Sequence, residues 1–173
     1  EFRRVLFRSR IYCLTYDPDK NEWTRIRISS KDYLEYQSTN IYLDEVQFVQ
    51  VAKDQYILSA RSNASGNRLF YRLTFTSPTQ ATATMISQSG MNLANPCNGD
   101  LIKYAAKDGT QYILHTVPKD MVYTNDNCRT SLSAYYTTVS TSGNLNWTHS
   151  IDLFDPFDNT NGGEAASGIG AID

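Results

Sequence analysis

The stretch DEVQFVQVAKDQYILSARS, Asp44 to Ser62, decides the fold class. Two runs of alternating apolar and polar strand formers flank a short polar break, the pattern of a half-buried β-hairpin. With Ala52 to Gln55 as the turn, Val51 pairs with Tyr56, and counting outward sets Val46 opposite Arg61 and Glu45 opposite Ser62. Opposed or diagonal positions on antiparallel strands lie about 5–8 Å apart, so Glu45 and Arg61 are expected to meet at one end of the hairpin.

The same rhythm continues on both sides. IYCLTY meets a turn at DPDKNE and resumes at WTRIRI, and LFYRLTFT follows the loop NASGN. DLIKYA turns through AKDGT into QYILHT, RTSLSAYYTTVS comes after a long loop, and TSGN leads into LNWTH. Sequential hairpins without a helical period predict an all-β protein, and the tandem four-strand rhythm favours a β-propeller over a sandwich. In a propeller the starts of first strands, the ends of second strands and the starts of third strands share one face. Glu45, Arg61, Arg129 and the segment GEAASGIGAID are then expected to ring one axial pocket. Singly, each has a plainer reading, because strand-end arginines are usually solvated and a lone glutamate is usually a polar tip.

Composition sets the bounds. The chain has 173 residues, 16 Lys and Arg against 18 Asp and Glu, and 12 tyrosines. The first nine residues, EFRRVLFRS, read as a translated sequencing adapter and are set aside as a scar, leaving residues 10–173 as a fragment of one propeller domain whose natural upstream part is expected to be missing. A formal charge of −2 without a basic run argues against nucleic-acid binding. No apolar run approaches the ~20 residues of a spanning helix. Cys13, Cys97 and Cys128 lack metal-ligand spacing and read as buried free thiols. No nucleotide, haem or metal fingerprint appears, so no cofactor is expected. His115 and His149 read as packed or surface imidazoles, and Asp17, Asp19 and Asp126 as turn caps. The sequons at Asn63 and Asn146 leave the compartment open.

Four pieces in order, EVQFVQV with ILSARS, then NPCNGDLI, then YILHTVP, then CRTSLSAYY, resemble the exo-α-sialidases (neuraminidases), which are six-bladed propellers. The likeness runs from Asp44 to the C-terminus, with Arg10 to Asn40 as a preceding blade, about three blades in all. Sialidases also carry Asp boxes, S-x-D-x-G-x-T-W. Here STSGNLNW, Ser140 to Trp147, keeps the serine and the tryptophan, while Ser142 and Asn144 replace the aspartate and glycine. The earlier YDPDKNEW looks as much like a Kelch-type turn.

The resemblance implies a chemistry. Arg61 and Arg129 fall on the second and third arginines that bind the sialic acid carboxylate, a task suited to a planar, permanently charged fork. Glu45 falls on the catalytic glutamate that activates a tyrosine nucleophile, and Tyr123 is a candidate sugar contact. A neutral tyrosine can approach an anomeric carbon bearing a carboxylate, where an anionic aspartate would be repelled. At the aligned nucleophile position stands Ala166, and the family's first arginine and acid/base aspartate are expected upstream, so the chain is expected to be catalytically incomplete. The implied activity is retaining hydrolysis of terminal sialic acids from glycoproteins, glycolipids or oligosaccharides. The alternatives are a non-catalytic sialic-acid-binding or other glycan-binding propeller, favoured by Ala166, and a Kelch-like interaction propeller, favoured by YDPDKNEW.

Overall fold

A computed structural model describes residues 10–29, 31–34, 43–62, 68–91, 99–121 and 129–154. The protein is all-β, with several antiparallel sheets and no helix among the described residues. The first hairpin joins β1 (Leu14–Asp17) to β2 (Glu22–Arg25). Its turn is closed by Asp17, whose Oδ1 accepts the amides of Asp19 at 3.1 Å and Lys20 at 3.3 Å, the capping role its sequence suggests.

The short β3 (Arg27–Ile28) is followed by β4 (Leu43–Ala52), β5 (Gln55–Ser62), β6 (Arg68–Ser77) and β7 (Gln80–Ile86). These form one five-stranded sheet in the order β3-β7-β6-β5-β4, with β4 to β7 an antiparallel meander and β3 parallel to β7. The strand QATATMI has no counterpart in the sequence reading, because alternating alanine and threonine offers little apolar contrast. A second meander follows the two-residue β8 (Gln88–Ser89): β9 (Asp100–Ala105), β10 (Gln111–Met121) and β11 (Arg129–Thr138). After β12 (Leu145–Asn146), β13 (His149–Phe154) completes it, giving the order β13-β11-β10-β9. The fourth strand is thus HSIDLF rather than LNWTH. Leu145 and Trp147 instead donate their amides to Ser87 and Ser89 across the parallel β8–β12 pair, at 3.0 and 2.9 Å.

The register of the opening hairpin differs from simple counting. Its turn is Lys53–Asp54, with Asp54 at φ 59, and Gln50 rather than Val51 pairs with Tyr56. Nearer the tip, Glu45 and Val46 together oppose Ala60, so that Asp44 faces Arg61 and Leu43 faces Ser62. Two irregularities, one at each end of β4, replace the unbroken ladder that counting assumes.

Two apolar cores sandwich the five-stranded sheet. Val49, Ile57, Phe70 and Ile86 meet Leu101, Ile113, Val117 and Tyr135 of the second sheet, with Leu145 and Trp147 closing the seam. Leu58, Ala60, Tyr71 and Leu73 on the opposite face pack against Ile11, Ile26, Ile28 and Leu34. The two sheets also touch through their first strands, β4 and β9.

Candidate functional site

The site grows out of the irregularity at Glu45. Alternation along β4 is interrupted there, so Glu45 points with Gln47 toward the second sheet while Val46 points to the opposite face. Glu45 sits at φ 47, the left-handed region where bulges of this kind usually place glycine. A non-glycine residue held there costs on the order of 1–3 kcal/mol and persists only where its surroundings hold it.

Two arginines surround its carboxylate. Arg61, at the end of β5, donates from one terminal nitrogen to Glu45 Oε1 at 2.9 Å. A terminal nitrogen of Arg68, the first residue of β6, lies 4.0 Å from Oε2. The arginines differ in setting: the Arg61 side chain is 41% exposed and that of Arg68 is 0% exposed. The hairpin between β5 and β6 pairs Arg61 directly with Arg68, which brings both guanidinium groups to one tip.

Arg68 is bound along one edge of its guanidinium. Its second terminal nitrogen donates to the Glu45 carbonyl at 2.5 Å, to Gln47 Oε1 at 2.6 Å and to the Ser59 carbonyl at 3.3 Å. Its Nε donates to Ser59 Oγ at 2.6 Å. Accepting that hydrogen bond, the Ser59 hydroxyl donates one of its own to His115 Nε2, 2.7 Å away on β10. His115 therefore carries its proton on Nδ1, which faces the Thr116 carbonyl at 3.2 Å. Burial, reinforced by the Arg68 charge, lowers the His115 pKa to about 3, so the ring is neutral at ordinary pH. A charged rim is thereby connected to the interior of the next sheet through consecutive hydrogen bonds.

Of the residues singled out from sequence, Glu45 and Arg61 are brought into contact. Arg129 opens β11 with its backbone opposite Met121; its side chain lies outside the described residues. Tyr123 and Ala166, like Cys97 and Cys128, also lie outside them. Arg68, Gln47, Ser59 and His115 were not recognised as parts of the site. The signal for Arg68 was an arginine opening the otherwise apolar run RLFYRLTF across the hairpin from Arg61.

A groove lies elsewhere among the described residues. About 360 Å³ in volume, it separates residues 11–15 from the face of β4 to β6 that carries Val46, Phe48, Tyr56, Leu58, Leu73 and Phe75. Its lining is mostly apolar, with no charged residue, and burial raises the Cys13 thiol pKa. Charged groups gather instead at the arginine–glutamate tip. No described helix is long and apolar enough to cross a membrane. The chain matches no family model and no curated protein, so its likeness to sialidases stands on the quoted motifs alone.

Proposed function

We propose that this chain supplies part of the active site of an exo-α-sialidase built on a six-bladed β-propeller. The observation that carries the reading is the Glu45–Arg61 ion pair of 2.9 Å at one tip of the opening hairpin. Two further features support it: successive four-strand meanders stacked with their first strands in contact, and Trp147, the surviving box tryptophan, buried between sheets at 2% exposure.

In this reading Arg61 and Arg129 clamp the sialic acid carboxylate by charge-assisted hydrogen bonds. Glu45 accepts the proton of a tyrosine nucleophile as it attacks the anomeric carbon. Tyr123 contacts the sugar. The substrates are sialylated glycoproteins, glycolipids or oligosaccharides, and no cofactor takes part.

Release of fluorophore from an aryl α-sialoside by a protein carrying this chain tests the proposal. Glu45→Gln is expected to lower turnover by about 10²–10⁴-fold with substrate still bound. Arg61→Met is expected to weaken capture by roughly 10–100-fold, the value of a hydrogen-bonded charge. Turnover unaffected by either change would refute the assignment. One observation favours a second reading: Ala166 stands where the resemblance places the nucleophile. Sialic acid binding that depends on Arg61 without any release would identify a glycan-binding propeller.

A further inference from the structure

We infer that Arg68 is the positioning residue for Glu45: its buried guanidinium holds the main chain of the glutamate by a hydrogen bond to its carbonyl and lies within ion-pair distance of its carboxylate, and Ser59 and His115 hold Arg68 in turn. The catalytic part of this inference rests on the sialidase reading; the positional part does not. Left-handed backbone at a glutamate needs a restraint, and Arg68 supplies one by donating to the Glu45 carbonyl at 2.5 Å while its other terminal nitrogen faces Oε2 at 4.0 Å. Arg61 alone is a poorer restraint, because its half-exposed side chain makes that contact in competition with water.

The fork of Arg68 is used along its whole edge. Nε reaches Ser59 Oγ while a terminal nitrogen reaches oxygens from Glu45, Gln47 and Ser59. A lysine ammonium at the same depth is a point charge and cannot span those acceptors. Ser59 orients the fork only because its own proton goes to His115, a ring held rigidly between Phe70 and Trp147 at centroid distances of 5.6 and 6.0 Å. Gly99 belongs to the same arrangement, since a Cβ there would lie 2.8 Å from the His115 ring. The position of the rim glutamate is thus tied to the adjoining sheet through three buried side chains, Arg68, Ser59 and His115.

The test uses the full chain, labelled for NMR, with Arg68→Lys, Ser59→Ala and, as a control at an exposed position away from the seam, Trp23→Ala. Thermal melts first establish which variants fold. The Glu45 amide and carboxyl resonances and the His115 ring resonances are expected to shift in Arg68→Lys and in Ser59→Ala, although Ser59 does not touch the Glu45 side chain, and to stay in place in Trp23→Ala. Ser59→Ala removes only one oxygen and serves as the deciding variant should Arg68→Lys fail to fold. In a protein carrying the chain, both variants are expected to lower kcat toward aryl sialoside on the order of 10²-fold, the cost of a displacement near 1 Å, with KM little changed. Glu45 resonances that stay put in a folded variant overturn the inference. Resonances that move while kcat is unchanged overturn its catalytic part. Resonances that move in a protein whose wild-type form neither binds nor cleaves sialosides leave Arg68's positional role standing and remove the sialidase reading instead.

Discussion

The five-stranded sheet has two faces, and they are joined to their neighbours by different physics. Toward the second sheet, apolar packing is fastened by directional bonds. Ser59 meets His115, and Arg72 donates to the carbonyls of Ser140 at 2.8 Å and Gly143 at 3.2 Å. Trp147 fills the seam against Phe70 with ring centroids 5.6 Å apart. Toward residues 11–15 the contact is apolar, and a groove of about 360 Å³ is left open. Directional bonds admit one alignment of two sheets, whereas apolar surfaces alone tolerate sliding. The rim charges are built on the face whose alignment is fixed.

Breaking the seam should have the largest effect. Trp147→Ala is expected to cost about 3–5 kcal/mol in denaturant unfolding, as for other buried aromatic truncations. The contrast is Trp23, the tryptophan of the other quoted turn, which is 68% exposed and leans on Tyr16. Trp23→Ala is expected to change stability by less than about 0.5 kcal/mol. Similar losses at the two positions would erase the distinction between the faces.

Acid should weaken the same seam next. His115 has a folded pKa of about 3 against an ordinary 6.5, so the unfolded chain takes up the proton first as pH falls. Stability from this group is intact above pH 6.5, drains away between about 6.5 and 3, and changes no further below that; the total is a few kcal/mol. His115→Gln is expected to flatten the pH dependence of unfolding within that window. An unchanged slope would show that the ring is not buried as a neutral group.

A smaller loss is expected for Arg72→Met, roughly 1–3 kcal/mol, since two carbonyls forfeit a charged donor. Burial lowers the Arg72 pKa, but the group stays charged at any pH where the protein folds. Double-mutant cycles with Trp147→Ala would sharpen the comparison: coupling beyond about 0.5 kcal/mol means that clamp and tryptophan act as one joint.

How much of this was legible in the sequence varies by residue. Alternation in EVQFVQV and YILSARS is a direct imprint of one buried face, and it located the hairpin and its charged tip. Trp147 stood out because STSGNLNW keeps the serine and tryptophan of the box it resembles, and the tryptophan is buried at the seam. The irregularities in β4 were not legible, since an extra residue in a ladder leaves no mark until its partner strand is known. Arg68 was hidden for a related reason. Its partners Glu45, Gln47 and Ser59 come from two other strands, β4 and β5, and only the paired register makes them its neighbours. The strands QATATMI and HSIDLF were missed because short polar-rich strands are recruited by an existing sheet edge, not by their own periodicity.

The left-handed step at Glu45 makes the rim sensitive to chain length in a way that no point substitution matches. Deleting Val46 would let the ladder close smoothly against Ala60 and rotate Glu45 onto the apolar side, into the place Val46 vacates above the groove. A single lost codon would then dismantle the charged tip while leaving the other described strand pairings intact, a sensitivity to length rather than to residue type.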